Sequence, residues 1–520
     1  MAMISMSMTY FLERALRLHA ERTALVAGDR RISYRQVDRW SSSLAAALRH
    51  AGLAQGDRLA ILLGVRPSFF VTEIAAAKAG LIKVPVNTRL STPEILTVLR
   101  SCGARAAIVD RSFVELIRDA ASELPELTLL IAEGGPATGA ASYEAMIESG
   151  ASMPAIEASS GGDVYSMRFS GGTTGEPKGI VHTHAAYVAI SLAVLREYEV
   201  GHAERSLQVT HPAHGANFVW PALMARGAEL HLLERYDPDV VLRTIETQRL
   251  TRVPMVPSMW YGVLDSARAG HTDFSSVETC SFISAPVATE RFRQALDLFG
   301  PRLLNVYTLS ESPVVSTILK KHDLADPEAV ERRISSCGRE AEDVVLRIVN
   351  EAGEDVAHGE VGEIILASPG NMVGYWNNPK LTAATLKDGF VWTGDMARRD
   401  AEGFIHLVDR RNDMIITGGF NVFPREVEEV LYAHPGVREA AVAGVPDERW
   451  GEAVTAFVAL HPGASVTEAE LIAACAARLA HYKRPKAVHF LDALPKTSAA
   501  KISRRELTDR YWSGRQRRIG

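Results

Sequence analysis

Apolar and polar positions in the first half of the chain alternate between two periods. Short, nearly continuous apolar runs at residues 59–63, 81–86 and 104–109 read as buried strands. Helical spacing separates them at 69–78 and 93–100. The alternation predicts an α/β fold, a largely parallel sheet with helices on its faces. A stretch rich in Gly, Ser and Ala at 150–162 reads as a loop leading into a strand at 163–169. Thr183 suits the N-cap of a helix with Tyr187, Ile190, Val194 and Leu195 on one face. Further on, 403–408 reads as a strand. Pro424 then opens a helix with Val427, Val430 and Leu431 on one side, stopped by Pro435-Gly436. Strands at 439–443 and 454–460 and a helix at 467–479 complete a small domain of about a hundred residues.

With 520 residues the chain is too long for one ordinary core. Hydrophobic residues make up 47% and charged residues 23%, as in a globular protein that works in water. A formal net charge of −5 gives no sign of nucleic-acid binding. The C-terminal tail is locally basic through Arg504, Arg505, Arg510, Arg515, Arg517 and Arg518, and reads as a solvated tail with anion binding as the alternative. The four cysteines, Cys102, Cys280, Cys337 and Cys475, have no metal-ligand spacing and read as reduced, mostly buried thiols. No apolar run is long enough for a membrane span, and residues 1–8 lack the pattern of a signal peptide. A cytoplasmic enzyme is the expectation.

The densest chemistry lies in Ser170-Gly171-Gly172-Thr173-Thr174-Gly175-Glu176-Pro177-Lys178-Gly179. Glycines let backbone N–H groups approach phosphate oxygens, the hydroxyls donate, and Lys178 adds a mobile positive charge. Gly179 follows the lysine where a P-loop would have Ser or Thr, so that class is disfavoured. Expected between a strand and a helix, the run sits where α/β proteins bind phosphate. Further on stand Tyr307-Thr308-Leu309-Ser310-Glu311, Thr393-Gly394-Asp395, the charged run Asp409-Arg410-Arg411-Asn412-Asp413, Gly418-Gly419-Phe420-Asn421, and Lys501 near the C-terminus. Taken singly, each reads equally well as a turn, a solvated charge or a cap.

In this order, these segments resemble the adenylate-forming superfamily of acyl-CoA synthetases, luciferases and peptide-synthetase adenylation domains, over nearly the whole chain. The resemblance implies a large N-terminal domain of layered α/β sheets with a distorted β-barrel (1–411), and a small mobile α+β domain (412–520) hinged at Asn412. It implies that Ser170 to Lys178 hold the β- and γ-phosphates of ATP, with Ser310 adding a hydroxyl. Ser284-Ala285-Pro286 and Tyr307 would wall the adenine, and Glu311 would associate with Mg²⁺. Asp395 and Arg410 would bind the ribose hydroxyls. Lys501 would approach the carboxylate and α-phosphate, and Gly418-Gly419-Phe420 would face the thiol acceptor after domain rotation. His214 either gates the second substrate or merely packs beside the acyl pocket. Lys483 and Arg484 either meet a CoA phosphate or form a solvated turn.

The implied reaction activates a carboxylate as acyl-AMP with release of pyrophosphate, then transfers the acyl group to CoA. Transfer to an amine or to a carrier-protein thiol is the alternative, and a nucleotide-binding regulator without turnover is the reading from a different class. The acyl pocket is expected to draw on Phe218, Val219, Trp220, Met259, Trp260, Ile283, Thr308 and Val314, an apolar set. No basic residue is placed to meet a second carboxylate, so an aromatic, alicyclic or medium-chain monocarboxylate is expected. Four positions depart from the family pattern: Thr308 and Ala500 where glycine is usual, Ser310 where threonine is, and Asn412 where many members carry a charge. Homodimers are common among such enzymes, and nothing in the sequence decides the point.

Overall fold

The computed structural model describes residues 6–152, 159–170, 177–213, 218–497 and 501–513, with the side chain of Asn412 outside that description. Strands among the described residues form four sheets. The first half of the chain builds an eight-stranded sheet around parallel strands Arg58–Leu62, Ile82–Pro85, Ala106–Asp110 and Leu129–Glu133. The first three are buried almost throughout, which explains their unbroken apolar reading. Between them run helices Pro67–Lys78 and Thr92–Cys102. The second starts with a reciprocal Ser91–Glu94 capping box and stops at Gly103, whose φ of +62° suits glycine.

A nine-stranded sheet packs beside the first. Its strands Arg205–Gln208, Arg252–Met255, Thr279–Ile283 and Leu303–Leu309 run parallel, and Ser312–Leu319 returns antiparallel to the last. A third, antiparallel sheet joins Val345–Val349, Gly362–Ala367, Phe390–Arg399 and Ile405–Arg410. The fourth belongs to the C-terminal unit. There, Val437–Asp447 and Gly451–Leu460 pair antiparallel, with Pro424–Tyr432 and Glu468–Arg478 packed together over a separate core. This large α/β body with a smaller C-terminal unit is the class expected from the sequence.

One expectation is corrected. The glycine-rich run does not join a strand to a helix. Val164–Ser170 pairs antiparallel with Lys178–Thr183, with Ser170 opposite Lys178, so the run links two paired strands. Ile180 and Val181 are buried, β-branched residues that complete the sheet before the helix begins. The helix His184–Glu197 then starts as expected, with the Thr183 side chain accepting from the Ala186 N–H. Gly179 is required at the crossing: a Cβ there would lie 3.0 Å from the Phe169 ring and 3.1 Å from Trp376.

The C-terminal unit docks on the nine-stranded layer. Glu429 accepts from the Thr289 N–H at 3.0 Å, Tyr432 meets Tyr261 edge-on, and Arg425 donates to the carbonyls of Leu407 and Val287. No described helix is long and apolar enough to cross a membrane.

Candidate active site

Asp395 is aimed by a break in strand regularity. Between the pairs Ile365–Trp392 and Glu363–Met396, one edge of Phe390–Arg399 carries extra residues, and Gly394 takes a φ of +72°. The Asp395 N–H is held by the Thr393 hydroxyl at 3.0 Å. Its carboxylate, nearly buried, accepts from the Tyr307 hydroxyl at 2.7 Å and from Arg410 Nε at 3.2 Å. Arg410 is its cross-strand neighbour. Burial, and then Asp395, raise the Tyr307 pKa well above that of a free phenol, so the hydroxyl stays a donor. The remaining lone pairs of Asp395 are left for other donors. Three segments far apart in sequence thus meet at one carboxylate.

Lys501 completes the cluster from the C-terminal unit. Lys501 is solvent-exposed. Desolvation by the surrounding protein atoms, then the charge of Arg410, push its ammonium down to about 8, while Asp395 acts the other way. Its backbone is pinned by bonds to Thr497 in both directions, and Ser503 N–H bonds to the Pro495 carbonyl. Arg504, three residues on, grips Glu428 at 2.8 Å and Asp413 at 3.2 Å.

Ser310 and Glu311 form the two-residue turn between Leu303–Leu309 and Ser312–Leu319. The Glu311 side chain accepts from the Tyr375 hydroxyl at 2.8 Å and its carbonyl from the Met372 N–H at 2.7 Å. Ser284 directly follows the strand Thr279–Ile283 with a φ of +72°, a strained conformation for a residue with a Cβ, and Ala285-Pro286 continue that turn. Ser170 and Lys178 stand at the facing ends of the two paired strands, while Gly171, Gly172, Thr173, Thr174 and Gly175 lie outside the described residues, as do His214 and Ala500.

A narrow apolar recess of about 20 Å³, roughly the space of one water, opens along the last turn of the helix His184–Glu197. Phe218, Ile283 and Thr308 line it as expected, with Val219 and Val314, and Val194, Tyr198 and Pro313 add to the wall. Val194 and Tyr198 are four apart on one helix, a spacing that could have marked the second from the first. Trp220 and Trp260 are not among the lining residues. The indole of Trp220 donates to buried Glu73 and stacks edge-on with Phe70, and that of Trp260 donates to the Ser281 carbonyl amid Phe282 and Phe299. Each large ring serves a core because its N–H found a buried acceptor there. Among the described residues no lysine or arginine lines the recess. Arg168, unremarked in the sequence reading, lies behind Phe218 with its guanidinium 4.3 Å from the ring and donates to the Ala213 carbonyl at 2.7 Å.

His182 and His184 are buried. Desolvation, then Arg168, push His182 down to about 3, and desolvation takes His184 to about 4, so neither ring carries charge at neutral pH. Gly418 and Gly419, with φ of +57° and +84°, make the tight turn between Ile415–Thr417 and Phe420–Val422. The exposed Phe420 ring stacks on Tyr482 at 4.6 Å, and Lys483 pairs with Glu426 at 2.7 Å. All four cysteines are buried and free.

Comparison with known proteins matches this architecture along its length. Residues 12–376 match the AMP-binding enzyme family, and 426–501 match the AMP-binding enzyme C-terminal domain. The chain is 35% identical to a medium/long-chain-fatty-acid–CoA ligase, FadD8, of Mycobacterium tuberculosis, covering 98% of this chain and 91% of that one. The anthranilate CoA ligase AuaEII in complex with anthranoyl-AMP superposes with a TM-score of 0.90 at 27% identity, over 98% of both chains. The amide bond synthetase McbA of Marinactinospora thermotolerans gives 0.88 at 26% identity, over 97% of this chain and all of that one. The chain therefore belongs to the AMP-binding enzymes, the adenylate-forming superfamily, and with them to the AMP-forming class of ligases.

Proposed function

We propose that the protein is an ATP-dependent acid–CoA ligase. It activates an apolar monocarboxylate (aromatic, alicyclic or medium-chain) as acyl-AMP and passes the acyl group to CoA. The observation that supports this reading is the Tyr307–Asp395–Arg410 cluster, with Lys501 near enough for its charge to be shifted by Arg410 and Asp395. It gathers a hydrogen-bonded carboxylate and an ammonium from separate segments.

A carboxylate is a poor acyl donor, because oxide leaves badly. Its attack on the α-phosphorus forms a mixed anhydride and releases pyrophosphate. Negative charge builds on the phosphoryl oxygens, and the Lys501 ammonium would stabilise it. Asp395 would accept from the ribose hydroxyls, Tyr307 and Ser284-Ala285-Pro286 would flank the adenine, and Ser170, Lys178 and Ser310 would border the phosphates. Among the described residues no three His, Cys, Asp or Glu form a closed metal cage. The lone carboxylate of Glu311, steadied by Tyr375, suits Mg²⁺, which keeps water and phosphate oxygens around it. When bound there, the ion would neutralise phosphate charge.

The second step needs a different face. The thiol sulfur attacks the acyl carbon and AMP leaves, with Gly418-Gly419-Phe420 as the proposed acceptor-side turn. Asn412 is the proposed hinge between 1–411 and 412–520. Its neighbours hold opposite bodies: Arg411 pairs with Glu363 of the large one at 3.2 Å, and Asp413 with Arg504 of the small one. That change of allegiance within three residues supports a pivot there.

Likeness to McbA favours a second reading, transfer to an amine. Pyrophosphate release with Mg-ATP across a panel of acids, with products weighed in the presence of CoA and mixed amines, separates the two. Acyl-CoA supports the ligase and an amide supports the synthetase. Absence of acid-dependent pyrophosphate in a protein that binds ATP contradicts both.

A further inference from the structure

Several buried tyrosines in this protein spend their hydroxyls. Tyr34 donates to the Ala228 carbonyl, Tyr143 to that of Ser68, Tyr187 to the Ser166 hydroxyl, Tyr307 to Asp395 and Tyr375 to Glu311. Two differ: Tyr165, whose buried hydroxyl has no hydrogen-bond partner among the described residues, and Tyr198, which borders a cavity. Tyr198 is 3% exposed and forms part of the recess wall, and its hydroxyl makes no hydrogen bond among the described residues. Its backbone is fixed, capping the helix His184–Glu197 and accepting from Arg252 at 3.1 Å through its carbonyl. A buried phenol without a partner is costly, and one that borders a cavity can be satisfied by what enters it.

Apart from Ser284, which also lines the recess and carries a hydroxyl, the rest of the wall offers little to a polar group. Val194, Ile283, Val306 and Val314 are hydrocarbon, and the Thr308 hydroxyl already leans on the Ser312 carbonyl at 3.4 Å. Position along the helix gives the direction. Its entry strand, through Val181 and the 372–373 segment, lies beside Glu311, while Tyr198 follows the far end, about 21 Å along the axis from His184.

We propose that Tyr198 is a specificity residue that binds an oxygen function, a hydroxyl, ether or carbonyl, at the end of the acyl group remote from its carboxylate. This rests on the acid-activating reading of the site and narrows its substrate class. The preferred acids are apolar bodies with one distal hydrogen-bonding oxygen, and simple hydrocarbon acids are poorer.

The test pairs acids that differ by that oxygen alone: 4-hydroxybenzoate with benzoate, 3-(4-hydroxyphenyl)propanoate with 3-phenylpropanoate, and an ω-hydroxyalkanoate with its alkanoate. Wild type is compared with Tyr198→Phe, a substitution that keeps the ring. In pyrophosphate release, wild type should favour the oxygenated member of at least one pair by roughly ten-fold in kcat/KM. Tyr198→Phe should abolish that preference by losing the oxygenated acid while keeping the plain one. Preference for the plain acids in wild type, or a preference unchanged in Tyr198→Phe, overturns the proposal. Calorimetric binding of the same pairs with a non-hydrolysable ATP analogue reads the contact without turnover. A wild-type binding preference erased in Tyr198→Phe supports Tyr198 even if no acid is adenylated, an outcome that counts against the ligase reading alone. Equal binding of both members in wild type overturns the proposal.

Discussion

Two residues test the proposed nucleotide end of the site. On that proposal Lys501 works as an ammonium, and desolvation with Arg410 brings its pKa down to about 8. A base lowered in this way is fully charged below that pH and loses its charge as pH rises through it. The kcat/KM for adenylation should therefore fall along a basic limb near pH 8, and Lys501→Arg, whose charge persists, should move that limb upward. A profile flat from roughly pH 7 to pH 10, or the same limb in Lys501→Arg, would contradict the assignment. Asp395 is judged by a different readout. Asp395→Asn keeps the shape but removes the charge facing Arg410 and the proposed ribose site. Hydrogen bonds to a charged group contribute about 1.5–3 kcal/mol, so KM for ATP should rise roughly 10- to 100-fold. KM for the acid should change far less, and an unchanged KM for ATP would remove Asp395 from the nucleotide site.

Elements position these residues through packing that single segments do not reveal. The helix Pro67–Lys78 and the strand Ile82–Pro85 are tied by a fully buried ion pair, Glu73–Lys83, at 2.9 Å. Burial works against the Lys83 ammonium, but Glu73, with Tyr165 and Tyr187, outweighs it and holds the lysine charged. Trp220 also donates to Glu73, which makes this pair a joint between the two large layers. Lys83→Met should cost about 3–5 kcal/mol by leaving Glu73 uncompensated, read as a drop in the urea midpoint. Adding Glu73→Gln should recover part of it, and a midpoint equal to wild type would show that the pair carries no weight. The parallel strands, the cap at Thr183 and the helix opened by Pro424 were legible because each is specified by its own few residues. The strand pairing across the phosphate run was not. The segment Lys178–Thr183 is too short to show a period, and its strand character comes from the partner strand. Trp220 and Trp260 read as pocket walls by type and position, but buried acceptors on other elements decided where their N–H groups point. Tyr198 escaped notice because an unspent hydroxyl is visible only when all its neighbours are in place.

At the scale of the whole molecule, the fold holds two bodies in one particular arrangement. Glu429, Tyr432 and Arg425 dock the small unit on the large one, with Lys501 of the small unit near enough for Arg410 and Asp395 to shift its charge equilibrium. The account's central claim is that Lys501 serves acid activation and not acyl transfer. The direct test follows both half-reactions in Lys501→Ala: pyrophosphate release from Mg-ATP with the acid, and acyl-CoA formation from chemically supplied acyl-AMP. The account predicts a loss of roughly 100- to 1000-fold in the first and a change of no more than about three-fold in the second. Equal losses in both, or an adenylation rate that survives the substitution, would contradict it.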